Sequence, residues 1–191
     1  MEKSPKNYDV LIIGAGPAGA NAAISYKNLN PNLKVGLVDK AIFPRDKSCG
    51  DAIGPGVISA LKRFNNEHIL DGEPQVVSTT LYGPDNIGIQ NYIPEVKNKE
   101  DSIVYVIPRV DLDNRILNLA KDIGVDVYEV HSFVDFESNL DKSLNVQIKN
   151  ENENLEFLTK ILVGADGANS RIRKKLNYKS NSDWHKAIAI R

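Results

Sequence analysis

Residues 8 to 39 constrain this chain most, because they run strand, glycine turn, helix, strand and acid without interruption. Tyr8-Asp9-Val10-Leu11-Ile12-Ile13 is a short apolar run that stops at a glycine, the pattern of a buried parallel strand. Gly14-Ala15-Gly16-Pro17-Ala18-Gly19 follows directly, and Ala20 to Leu29 has the small and apolar spacing of a helix packed on a sheet. Val35-Gly36-Leu37-Val38 reads as a second strand, closed by Asp39 twenty residues after Gly19. Gly14 permits a tight turn out of the strand, Gly16 lets a pyrophosphate approach the backbone, and Gly19 lets the helix lie close to the sheet. Free amides at the helix start, aligned with its dipole, favour phosphate, so the amide hydrogens of Ala15 to Ala20 are expected to carry a diphosphate. Asp39 can accept a hydrogen bond from a ribose 2′-hydroxyl, and its charge repels a 2′-phosphate. A glycine turn alone is a weak signal. The strand before it, the helix after it and the acid at the right distance separate it from a glycine-rich turn of some other α/β domain.

Composition excludes little beyond this. The 191 residues are enough for one domain with a real core, and 41% hydrophobic with 26% charged residues is ordinary for a globular protein. A net charge of -1 points neither to nucleic acid nor to an anionic membrane. No apolar run has the length of a bilayer span, and the first strand starts too early for a cleaved leader. The expectation is therefore a cytoplasmic chain. Cys49 is the only cysteine, which rules out an internal disulfide. His68, His131 and His185 have no ligand spacing, so no metal is expected. Neither a nucleophile elbow nor a P-loop occurs.

After Asp39 a long loop punctuated by glycine and proline runs from Lys40 to Gly56, before a short helix over Val57 to Phe64. Read alone, Cys49 is a small buried hydrophobe, and Arg45 and Lys47 are solvated loop charges. Val76 to Gly83 and Ser102 to Ile107 are strand-like, with Ile87, Ile89, Tyr92 and Ile93 as weaker candidates between them. The Tyr92 and Tyr105 rings are read as core or sheet-face residues. Arg109 opens a helix whose apolar face is Leu112, Ile116, Leu119, Ala120 and Ile123, with Gly124 as its stop. Asp111 or Asp113 would complement its dipole, and Arg109 by itself is a surface arginine at a strand end. Val125 to Val130 is a returning parallel strand. Ser132 to Asn139, Leu144 to Asn150 and Leu155 to Val163 form a β-meander with turns at Asn139 to Ser143 and Glu151 to Asn154. Ile161 to Arg173 repeats the strand–glycine turn–helix theme, with a cap near Asn169 or Ser170 and Asp166 within the turn. Tyr178 to His185 is a polar linker, and Lys186 to Arg191 begins a further strand.

The loop Phe43-Pro44-Arg45-Asp46-Lys47-Ser48-Cys49-Gly50-Asp51 resembles that of the geranylgeranyl reductase family, which lies within the aromatic-hydroxylase-like flavoprotein group. Pro108-Arg109-Val110-Asp111-Leu112-Asp113 and Gly164-Ala165-Asp166-Gly167, with the following Ser170 and Arg173, are similar to further elements of that group. The resemblance covers essentially the whole chain but only the N-terminal half of the family's pattern. It implies an α/β, Rossmann-like FAD-binding domain with a parallel sheet, a crossover β-meander and the beginning of an antiparallel substrate sheet. The FAD-binding domain would comprise residues 1–72 and 109–180, and a partial substrate-facing sheet residues 73–108 and 181–191.

By resemblance, FAD is the cofactor, and NAD(P)H or another reduced carrier is a transient donor, since no second glycine fingerprint marks a nicotinamide domain. The cofactor-binding residues implied by the motifs are Gly14, Gly16, Pro17, Ala18, Gly19, Asp39, Lys40, Arg45, Lys47, Arg109 and Asp166. Cys49 is the implied catalytic residue, as proton donor or substrate-positioning group. A carboxylate beside phosphates repels them, so Asp166 would accept hydrogen bonds from hydroxyls and amides, or cap the following helix. The resemblance implies an FAD-dependent oxidoreductase that reduces carbon–carbon double bonds of an isoprenoid (geranylgeranyl-type) chain by hydride transfer through the flavin. Two alternatives stay open: an FAD-dependent monooxygenase or halogenase of the same group, and a truncated FAD-binding fragment without activity. The hydroxylases generally lack the Cys49 loop. The later glycine-aspartate motif of the family is absent, so a fragment is expected, its C-terminal half supplied by another chain if at all. The implied partners are an isoprenoid small molecule and a peripheral membrane contact, with no nucleic acid.

Overall fold

Val10, Leu11, Ile12 and Ile13 are all buried, which explains the unbroken apolar run of β1 (Lys6–Ile13). β1 lies at the centre of a six-stranded sheet in a computed structural model that describes residues 5–49, 51–92 and 104–178. β1 pairs in parallel with β2 (Val35–Val38), and β2 with β7 (Asp126–Tyr128). On its other side β1 pairs in parallel with β10 (Asn154–Gly164), Ile13 opposite Gly164. β8 (Ser132–Ser138), β9 (Leu144–Lys149) and β10 form the antiparallel meander, so the order is β7-β2-β1-β10-β9-β8. The chain leaves β1 through α1 (Pro17–Leu29) toward β2, while β10 sits on the opposite flank. Connections therefore diverge beyond the carboxyl ends of β1 and β10, the place where open α/β sheets form ligand crevices.

Two sets of side chains hold this sheet. Ala20, Ala23 and Ile24 bury one face of α1, and their small size lets the helix lie close. Leu11, Ile13, Phe133, Val146, Ile148, Phe157 and Ile172 form a continuous apolar cluster with Tyr8. The Tyr8 ring meets Phe157 edge-on, and its hydroxyl donates to Asp126 Oδ2 at 2.9 Å and lies 2.6 Å from the Tyr128 hydroxyl. Burial and these bonds to Tyr128 and Asp126 push the Tyr8 phenol far above its ordinary value.

The chain divides into two compact units, residues 1–46 with 113–190 and residues 47–112. The sequence placed the first boundary after residue 72 and Arg109 with the FAD-binding part. Instead, β3 (Ala52–Ile53) pairs with β6 (Tyr105–Val106), and that pairing gathers the loop, α2 (Pro55–Lys62) and the 3-10 turn Glu67–Leu70 into the second unit. The division falls inside α3 (Arg109–Asp122), after Leu112. The second unit also carries the hairpin β4 (Ser78–Tyr82) and β5 (Gly88–Tyr92). Every residue of β5 is exposed and Tyr92 is 71% exposed, so its ring lies on an open hairpin face and not in a core. Ile93, Gly50 and the expected strand Lys186 to Arg191 lie outside the described residues, as do Ser102 and Ile103 of the strand expected over residues 102–107.

The face of α3 also differs from expectation. Leu112, Ile116, Leu117 and Ala120 are buried, whereas Ile123 is exposed beside Gly124, where the chain turns with φ +83°. A buried stripe wider than a single i, i+4 row admits Leu117.

Candidate functional site

At the end of β1 the three glycines meet different surroundings. Gly14 has φ +105°, and a Cβ there would stand 2.3 Å from the Ala165 carbonyl oxygen. A Cβ on Gly19 would lie 1.7 Å from the Gly14 carbonyl oxygen. Both positions are closed by the protein's own backbone, so a side chain at either cannot be absorbed. Among the described residues the one neighbour of such a Cβ on Gly16 within 4 Å is Arg45 Nη2, at 3.3 Å. Gly16 is thus the open side of the turn.

The donor set is narrower than the expected run from Ala15 to Ala20. Ala15 N–H donates to Asp39 Oδ2 at 2.7 Å, Pro17 has no N–H, and Ala20 N–H donates to the Gly16 carbonyl at 3.0 Å. Among the described residues that leaves the amides of Gly16, Ala18 and Gly19, which belong to the first turn and have no intrahelical acceptor. No side chain caps α1, and its first turn holds no acid to compete with an anion.

Asp39 is buried, and the turn itself uses it. Besides Ala15, its Oδ1 accepts from Ala41 N–H at 2.9 Å. A carboxylate offers about four acceptor directions, so Asp39 holds the turn in place and retains capacity for a sugar hydroxyl. Lys40 beside it is exposed. Arg45 is held between three groups: Nη1 is 3.5 Å from Asp113 Oδ2, Nη2 approaches Gly16, and the guanidinium carbon stands 4.8 Å from the Phe43 ring centroid. Phe43 is fixed in turn by its N–H to Glu129 Oε1 at 2.9 Å. Asp113 is 1% exposed, and of the two acids expected to complement the dipole of α3 it is Asp111 that lies in the first turn.

Beside Gly14 lies the second glycine turn. Ala165 N–H donates to the Ile13 carbonyl at 2.8 Å, and Gly167 has φ +80°. Asp166 Oδ2 accepts from the amides of Arg171 at 2.6 Å and Ile172 at 3.4 Å, and Ser170 Oγ accepts from Arg173 N–H at 3.0 Å. These bonds cap α4 (Arg171–Lys175), so Asp166 and Ser170 act as the capping alternative anticipated. Arg171 Nη1 donates to the Phe133 carbonyl at 3.0 Å, and the Arg173 guanidinium donates to the Ala168 carbonyl. Asp166 Oδ1 is buried and accepts no hydrogen bond among the described residues.

In the second unit Cys49 is half-buried and Lys47 exposed. Asp51 has φ +57°; its Oδ1 accepts from Arg109 N–H at 3.3 Å and its carbonyl from Ile107 N–H at 3.0 Å. Asp51 therefore ties the end of the cysteine loop to the start of α3. Asp51, Asp113 and Glu129 are the structural partners that spacing did not reveal. Each acts across a gap in sequence, and only an unpaired charge beside a motif could have hinted at them.

The structure thus gathers Gly14, Gly16, Pro17, Ala18, Gly19, Asp39, Arg45 and Asp166 in the first unit, and places Lys47, Cys49 and Arg109 in the second. An open concavity of about 740 Å³ lies instead at the other end of β1, among Asn7, Asp9, Lys34, Thr159 and Lys160. There Lys160 and Asp9 satisfy each other at 2.9 Å.

Residues 7–188 match the model of a family described as the FAD binding domain. The chain belongs to that family. It is 29% identical over 96% of its length to a menaquinone reductase of Mycolicibacterium smegmatis, covering 43% of that protein. It is 26% identical over 91% of its length to a digeranylgeranylglycerophospholipid reductase of Picrophilus torridus, again covering 43%. The chain therefore spans under half the length of these relatives. Among solved structures, a myxobacterial chondrochloren halogenase superposes with TM-score 0.73 at 23% identity, over 87% of this chain and 39% of its own. A geranylgeranyl bacteriochlorophyll reductase-like protein of Thermoplasma acidophilum gives 0.69 at 23% identity, over 86% and 40%. At such identities the structures speak for the shared fold, and the sequence relatives carry the resemblance to geranylgeranyl reductases. The residues present fit FAD: an open cradle at Gly16, unused first-turn amides, a guanidinium beside them and an orphaned acceptor on Asp166.

Proposed function

We propose that this chain forms the FAD-binding half of a reductase acting on carbon–carbon double bonds of an isoprenoid chain. The observation that carries the reading is the open side of the turn at Gly16, beside Arg45 and the uncapped start of α1, while Gly14 and Gly19 are closed by backbone. The first-turn amides and the helix dipole hold the diphosphate, and Arg45 adds a charged fork suited to its oxygens. Asp39 orients the adenosine ribose through its remaining acceptor capacity, and Lys40 lends surface charge. Asp166 Oδ1 accepts from a cofactor hydroxyl, which satisfies an atom otherwise orphaned. Lys47 and Arg109 are cofactor-binding candidates by the family resemblance alone. When bound, FAD supplies hydride chemistry between a reduced donor such as NAD(P)H and the alkene. Cys49 positions the substrate or provides the proton at its Sγ. Reductases among the sequence relatives support the reaction class.

The test uses purified chain. A yellow preparation that binds FAD and, without oxygen, reduces a geranylgeranyl alkene at the expense of NAD(P)H or dithionite supports the reading. Oxygen-dependent product formation would transfer it to the monooxygenase or halogenase class. FAD binding with no turnover would reduce it to a binding module completed by a further polypeptide. A folded, colourless chain indifferent to FAD would end it. Among the described residues no helix is long and apolar enough to cross a membrane.

A further inference from the structure

We propose that Asp113 is the positioning residue that aims Arg45 into the diphosphate cradle. This rests on the FAD reading above and assigns Asp113 a part in it. Arg45 is a long loop cation, a side chain that ordinarily samples many rotamers. Here its fork has one nitrogen 3.5 Å from Asp113 Oδ2 and the other against Gly16, and its plane lies over Phe43. The Asp113 side chain is fully buried, that of Arg45 22% exposed. A buried carboxylate persists only when it is paired, and Arg45 is one of the partners that hold Asp113 in place.

The dipole of α3 does not account for Asp113. It is the fifth residue of the helix, beyond the first turn in which the dipole acts, whereas Asp111 lies within that turn. Nor does a packing role require a charge at that depth. The pair also alters how Arg45 would hold phosphate. Its charge is already balanced by Asp113, so its contribution is oriented hydrogen bonding more than long-range attraction. Loss of Asp113 would leave a loose cation that attracts phosphate as a point charge and is screened by salt.

The experiment titrates FAD into the 191-residue chain, following flavin fluorescence at several salt concentrations. Thermal unfolding is recorded without FAD. The proteins are the unmodified chain, Arg45→Met, Asp113→Asn and the double variant. Each single variant is expected to weaken FAD binding about tenfold, and the double variant no more than Arg45→Met alone, because Asp113 acts through Arg45. Asp113→Asn should also steepen the salt dependence. If Asp113→Asn does not fold, Asp113→Glu takes its place in the cycle, keeping the charge and displacing the fork. Additive losses that follow the fall in melting temperature would overturn the proposal while leaving the FAD reading intact. Failure of the unmodified, folded chain to bind FAD would overturn both.

Discussion

Two strand–glycine turn–helix elements sit side by side at the ends of β1 and β10, and they treat their helix amides in opposite ways. The second turn uses its own side chains: Asp166 takes the amides of Arg171 and Ile172, and Ser170 takes that of Arg173. The first leaves α1 without a side-chain cap and spends its acid, Asp39, on the turn behind the helix. A self-capped helix stabilises the fold, and an uncapped one offers donors to a ligand. Similar motifs in sequence thus have different physical tasks, and satisfaction of the first-turn amides is what separates them.

Four substitutions sharpen or break this contrast. The largest effect on stability should come from Gly19→Ala, whose methyl would enter the Gly14 carbonyl at 1.7 Å. It should cost about 3 kcal/mol or more in denaturant unfolding, or abolish soluble folded protein. Asp39→Ala follows: it strands the buried amide of Ala15 and the part-buried amide of Ala41 and should cost about 2 kcal/mol, with FAD binding lost. Ser170→Ala removes the α4 cap and should cost about 1 kcal/mol with FAD affinity unchanged; an equal loss of affinity would erase the distinction between the turns. Gly16→Ala should change stability least, by roughly half a kcal/mol, because only the tip of Arg45 must move. Calorimetric titration should nevertheless show FAD binding weakened about tenfold, since the methyl occupies the cradle.

The second unit supplies a different lesson. Its hairpin β4–β5 leaves Leu81, Tyr82, Ile89 and Tyr92 each about two-thirds or more exposed, and its strands were the weakest in the sequence. An isolated two-stranded hairpin has little with which to bury either face, so alternation there was short and blurred. In β6, Tyr105 and Val106 pair with Ile53 and Ala52, while Ser102 and Ile103 of the expected strand lie outside the described residues.

Sequence by itself determined the order of β1, the glycine turn, α1, β2 and Asp39, the meander β8–β10, and the second glycine turn with a cap near Asn169 or Ser170. Those features are local: period, turn chemistry and caps act over a few residues, so their signals survive in one dimension. Only the tertiary structure decided which amides remain open, because Asp39 reaches back to Ala15 and Ala165 closes over Gly14. It alone paired Arg45 with Asp113 and tied Asp51 to Arg109. Ion pairs and backbone contacts between distant segments depend on distance in space, and no spacing along the chain encodes it.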